Sequence, residues 1–143
     1  MSLDLNALET SFDVVAGDGD ALMDEFYSRL FAAAPGVRTL FPNDMKKQKT
    51  MLLAALVLLR KSLRDLDAIV PKLRELGARH VAYGARPEHY PVVGATLIAS
   101  MKAIAGDGWK WDYGQAWAAA FDVVASTMLE GAAEAEAELE AAA

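Results

Sequence analysis

"LRELGARHVAYGARPEHYPVVG", residues 73–94, carries both histidines of the chain and sets how the rest is read. Working back from His80, the residues Leu76, Leu73 and Ile69 lie at spacings of four, three and four, the period of one helical face. This predicts a helix over about 67–82, with Pro71 in its early turns and its end near Gly84. His80 then sits on an apolar stripe and is expected to face inward. His89 follows nine positions later, between Pro87 and Pro91. That spacing does not put two ligands on one helical face, so His89 is expected to face solvent or to cap the next helix.

The same period extends in both directions. Helices are expected over about 4–16 and 20–34, broken by Asp18-Gly19-Asp20, with a short third one begun by Pro35. "FPND" at 41–44 reads as a turn whose Asp44 caps a long helix to about 64. Beyond the quoted stretch, one helix starts between Pro87 and Pro91 and stops before "GDG" at 106–108; the last begins near Asp112. Trp109, Trp111 and Trp117 read as packing residues. Alternation with period two is missing, so the class is all-α.

Length and charge narrow the function. A chain of 143 residues fits one domain, 1–143, whose Ala/Glu-rich stretch 131–143 reads as an extension of the last helix. With 14 basic against 20 acidic side chains the formal charge is −6, which on average repels nucleic acid and anionic lipid. No cysteine is present, so disulfides and thiolate metal sites are excluded. The N-terminus lacks the form of a secretion signal, and the longest apolar run, "MLLAALVLL" at 51–59, is too short for a membrane span. A cytoplasmic protein without membrane insertion is expected.

Two further polar side chains share apolar stripes. Tyr27 lies with Met23, Leu30 and Phe31, and Gln48 with Leu52, Ala55 and Leu59. Together with His80, three polar groups from three helices are expected to head for one interior, where an unsatisfied group costs about 1–3 kcal/mol. Each alone also has an ordinary reading: a core histidine bonded to a backbone carbonyl, a core tyrosine with its hydroxyl at the rim, a solvated glutamine.

In one register, these residues resemble the globins. "FYSRLF" at 26–31, Pro35, "LF" at 40–41, "LRELGARHVAYG", "HYPVVG" and "AWAAAFDVVA" at 116–125 look like single-domain bacterial haemoglobins and the globin domain of flavohaemoglobins, from about residue 5 to about 130. The resemblance implies a three-over-three helical sandwich around haem b, iron protoporphyrin IX. It implies His80 as the axial ligand of the iron, with Phe41, Leu52, Arg79, Tyr90 and Val93 also contacting the cofactor. Tyr27 and Gln48 are implied on the opposite, distal side as hydrogen-bond donors to bound oxygen. Arg79 and Arg86 are candidates to pair with the propionates, or else are solvated surface charge.

In the flavohaemoglobin branch the axial histidine is backed by a tyrosine and a glutamate. Tyr90 matches the tyrosine, but Ala132 falls where the glutamate would be, and Glu130 and Glu134 are each two residues away, about 200° around a helix. Strong electron donation to the iron is therefore in doubt. The implied function is tight oxygen binding with conversion of nitric oxide to nitrate, carried by Tyr27, Gln48 and Tyr90. The 143 residues contain no flavin or nicotinamide domain, so a separate reductase is an expected partner beside O2, NO and other small gases or sulfide. A monomer or homodimer is expected. Two alternatives are a gas sensor or store acting through a partner protein, and a helical bundle that has lost haem.

Overall fold

Asp4 opens the first helix by accepting the Ala7 N–H on its Oδ1 at 3.1 Å, satisfying one of the donors a helix start leaves unpaired. The computed structural model describes residues 3–142, and helix α1 spans Leu5–Val15. One 3-10 turn, Ala16–Asp18, leads into α2, Gly19–Ala33. Gly19 lets α2 closely approach the helix that carries Leu53: a Cβ there would meet the tip of the Leu53 side chain at 2.8 Å and push it aside. Pro35 starts the short third helix as expected, in 3-10 form over Pro35–Leu40.

Helix α3, Lys46–Lys61, ends three residues before the expected 64. The Ser62 N–H bonds both Leu58 O and Leu59 O, a tightened last turn that stops the helix. At its start the flanking residue is Met45 rather than Asp44. Asp44 stands one position further out and accepts the Lys46 N–H at 3.0 Å.

A 3-10 turn over Leu66–Ile69 precedes α4, Val70–Tyr83, with Pro71 in its first turn. Gly84 ends α4 at φ 90°, a left-handed conformation that costs glycine little, and the next N–H, of Ala85, returns to His80 O at 3.0 Å. Helices α5, His89–Ala105, and α6, Trp111–Ala142, flank the 3-10 turn Gly106–Gly108. Among the described residues there is no strand and no helix long and apolar enough to cross a membrane.

The helices stack three over three, α1, α3 and α4 against α2, α5 and α6. The best-covered core lies where α1, α2, α5 and α6 meet: Leu8, Val15, Leu22, Met101 and Trp117 are all at 0% exposure. Burying such side chains stabilises by about 1.5–3 kcal/mol each. The Trp117 indole N–H donates to Ser11 Oγ at 2.8 Å, and that hydroxyl donates to Ala7 O at 2.6 Å, so the polar atoms of this core are paired. Trp111 departs from its expected packing role: it is 76% exposed, at the first turn of α6 and outside the core.

At the other end α4 lies along α6, while α3 rests on α2 and α1. The apolar residues that α3 and α4 carry there, Leu52, Leu73 and Leu76, are only half-buried.

Candidate functional site

His80 stands in the last turn of α4 and is half-buried, as are the neighbouring Leu73 and Leu76 of its stripe. Its Nδ1 lies 2.7 Å from Leu76 O. A carbonyl can only accept, so Nδ1 carries the proton and the neutral ring keeps its lone pair on Nε2. The helix itself thus selects the tautomer and fixes the orientation of the ring. Tyr83, one turn on, packs its ring 5.5 Å from the imidazole, and Tyr90 packs at 6.3 Å.

Tyr90, in the first turn of α5, is half-buried, and burial raises its phenol above the ordinary range. It opens on a cavity of about 250 Å³ whose lining includes Val81, Leu129, Ala132 and Glu136. Ala132 is buried in that wall at 9% exposure. Glu130 and Glu134 turn away from it: both carboxylates pair with Arg74 of α4, Glu130 at 2.6 Å.

Tyr27 projects from α2 and is 4% exposed. Gln48 in the first turn of α3 donates from Nε2 to the Tyr27 hydroxyl at 3.2 Å. The hydroxyl accepts this bond and keeps its own proton free to donate. Burial, the larger influence, raises the Tyr27 phenol above its usual range, and the Gln48 bond opposes it. The group is therefore neutral and a donor at neutral pH.

Phe41 follows the 3-10 turn and sets its ring edge-on to Tyr27 at 5.7 Å and to Phe31 at 5.5 Å. Leu52 and Val93 are half-buried against the same core. The structure thus joins Tyr27, Gln48 and Phe41 into one cluster and puts His80 with Tyr90 in another.

The arginines stand apart from both. Arg79 is exposed and paired with Glu75 one turn back, and Arg86 is exposed, with its backbone N–H donating to His89 Nδ1 at 3.0 Å. His89 is thereby committed to the start of α5. Sequence reasoning placed Phe31 on the face of Tyr27 without giving it a part in the site, and passed over Tyr83. The first follows Tyr27 by four residues and the second follows His80 by three, so helical spacing alone would have found them. Glu136 was also missed; it lies four residues beyond Ala132, on the same side of α6.

Comparisons with known proteins agree with this architecture. The globin family profile matches residues 24–128. A flavohemoprotein of Bacillus subtilis is 30% identical over 128 residues, 87% of this chain and 32% of the relative. One from Chromobacterium violaceum is 30% identical over 85% of this chain and 31% of its own length. The chain therefore spans about a third of the length of these curated relatives.

Among solved structures, an engineered carbene transferase, a candidate nitric oxide dioxygenase from Rhodothermus marinus, superposes with a TM-score of 0.85 at 24% identity, covering 95% of both chains. A bacterial globin from Campylobacter jejuni gives 0.79 at 22% identity, over 91% of this chain and 94% of the other. With the profile covering most of its length and the helices stacked as in these structures, the chain belongs to the globin family.

Proposed function

We propose that this chain binds haem b through His80, holds O2 beside Tyr27 and Gln48, and converts nitric oxide to nitrate with electrons from a separate reductase. On this reading residues 1–143 are one globin domain, with 131–142 prolonging its last helix; Met1, Ser2 and Ala143 lie outside the described residues. The residues present fit the cofactor. A neutral imidazole with a free Nε2 is the donor an iron porphyrin needs from one side, and Phe41, Leu52 and Val93 offer apolar surface for its faces. When bound, haem supplies the iron centre at which O2 and NO can be brought together.

What the chain contributes is polarity and positioning. The observation that carries the oxygen reading is the Gln48 to Tyr27 bond, because it leaves the phenol proton unspent in an apolar surrounding. A diatomic ligand that gains negative charge takes a partly charge-assisted bond from that phenol, worth about 1.5–3 kcal/mol. The amide of Gln48 holds the phenol in place. Phe41 and Leu52 exclude water. Tyr90 packs against His80 and helps set the ring plane, while Ala132 leaves it without an acidic partner at that position. Arg79, now paired with Glu75, is the candidate to turn toward a propionate.

The net reaction combines one NO, one O2 and one electron into nitrate, so a reductase of the flavin class fits as partner. The test is direct. Purified protein, reconstituted with haem where necessary, is expected to show a Soret band that shifts on reduction and on adding carbon monoxide. The oxygenated form mixed with NO and a flavin reductase is expected to yield nitrate over many turnovers. A colourless protein that takes up no haem overturns the whole reading; nitrate formed once per protein and never again overturns the enzymatic part.

A further inference from the structure

Charge is segregated between two helices of this chain. Residues 46–64 carry Lys46, Lys47, Lys49, Arg60, Lys61 and Arg64 and not one carboxylate. Residues 111–143 carry seven carboxylates and no base. Part of each set is spent at home: Lys49 pairs with Asp24, Arg60 and Arg64 with Glu9 and Asp13, and Glu130 and Glu134 with Arg74. Among the described residues Lys47 and Lys61 make no such pair, nor do Glu136, Glu138 and Glu140, and all five are exposed.

The α3 stretch flanks an uncovered apolar seam, and the α6 stretch flanks one that is uncovered only beyond Ala135. On α3 the spacing four, three, four, three aligns Lys47, Met51, Ala54, Leu58 and Lys61 along one face. All five are exposed, Met51 by 51% and Leu58 by 38%. A groove of about 1060 Å³ between α2 and α3 runs beside this seam and shares Ala54, Leu58 and Lys61 with it. Of the groove's three aspartates, Asp24 is paired with Lys49, while Asp20 and Asp44 stand on the rim, the latter accepting the Lys46 backbone N–H.

On α6 the same spacing aligns Met128, Ala132, Ala135, Leu139 and Ala142. Met128 and Ala132 are buried, but Leu139 is 64% exposed and Ala142 is exposed. Glu136 and Glu138 flank this second seam on either side. The part of α6 beyond its packing on α4, residues 135–142, is about 12 Å long, and the α3 seam from Lys47 to Lys61 is about 21 Å long, so the acidic end covers roughly half of that seam.

We propose that the two seams are partners between two copies of this chain. The acidic end of α6, anchored by Leu139, docks on the Lys47–Lys61 face of α3 in a second copy, whose own α6 returns the contact. Pairing α3 with α3 is disfavoured because lysines would meet lysines. Two reciprocal contacts bury on the order of 1,000 Å², the low end for a specific interface and the class of weak pairs; area does not fix affinity, and the test is set for a Kd on the order of 10–100 µM. Closure into a two-fold pair uses both surfaces and leaves none for further growth. The contact does not involve His80 or Tyr27 and is expected with or without haem; of its residues, Ala132 and Glu136 also line the cavity beside Tyr90, whereas Lys47 and Lys61 do not.

The test is sedimentation of the full chain, with and without haem, over a concentration series reaching about 1 mM, well above that Kd. A monomer–dimer equilibrium that weakens at least tenfold in high salt is expected. Leu139→Ala should weaken it about tenfold or more. Two charge-reversed chains make the decisive arm: Lys47→Glu with Lys61→Glu, and Glu136→Lys with Glu138→Lys. Each alone should be monomeric, since its two seams then carry like charge, while an equimolar mixture should form a one-to-one heterodimer. Circular dichroism and melting of each variant check that it is folded; all four sites are exposed. A wild-type chain monomeric throughout, or a dimer indifferent to Leu139 and to both charge reversals, overturns the proposal.

Discussion

At the scale of single residues, two hydroxyls do opposite jobs. Ser11 satisfies a buried indole, so Ser11→Ala strands the Trp117 N–H in a fully buried core. The expected loss of unfolding free energy is about 1–3 kcal/mol, read from urea denaturation. Tyr27 instead keeps a donor in reserve. Tyr27→Phe removes that donor and little volume, and should speed O2 dissociation from the haem-loaded protein by about tenfold or more in a stopped-flow measurement. An unchanged rate would mean that the phenol does not reach the ligand. Neither role shows in residue type. Both depend on what lies 21 and 106 positions away along the chain.

Helix pairs carry the next level of constraint. Where α4 crosses α6, a Cβ on Gly77 would lie 1.8 Å from Met128 O and one on Gly131 would lie 1.9 Å from Arg74 O. The backbones touch, and Arg74 clasps Glu130 and Glu134 beside the contact. In an ordinary helix Gly→Ala stabilises by about 0.5–1 kcal/mol. At Gly131 the sign should reverse, because a carbonyl cannot retreat as a flexible side-chain tip can. Gly131→Ala is expected to cost about 1–3 kcal/mol in chemical denaturation. Gly17→Ala, with nothing within 4 Å of its added carbon, is the control and should be near neutral. Since His80 follows Gly77 by three residues, this crossing also sets how far the imidazole stands from α6.

For the molecule as a whole, pH response follows from which groups folding perturbs. Arg64, just past the end of α3, hydrogen-bonds Glu9, and Arg60 of α3 hydrogen-bonds Asp13, both on α1, and both carboxyls are held below the ordinary carboxylate range. Their contribution is present above the unfolded carboxylate values and lost as pH falls through the lowered folded ones, because the unfolded chain then binds more protons. Tyr27 and Tyr90, raised by burial, act at the other end: the unfolded chain ionises first above about pH 10, so stability falls there as pH rises. Melting temperature against pH should be a plateau with two shoulders. Arg60→Leu should soften the acid shoulder and Tyr27→Phe the alkaline one.

The period of apolar residues from Leu5 to Val124 was enough to determine an all-α chain and nearly all its helix ends, because helical spacing and capping are local. The stripe positions of Tyr27, Gln48 and His80 were legible for the same reason. Local pattern misjudged Trp111, which looks like core and lies outside it. The protonated nitrogen of His80 is local as well, set by the Leu76 carbonyl one turn back, whereas only the tertiary structure decided the free proton of Tyr27 and the turning of Glu130 and Glu134 away from the cavity beside Tyr90. A hydrogen bond of that kind is settled by distance and angle between groups that the chain brings together only by folding, and no spacing along the sequence contains that distance.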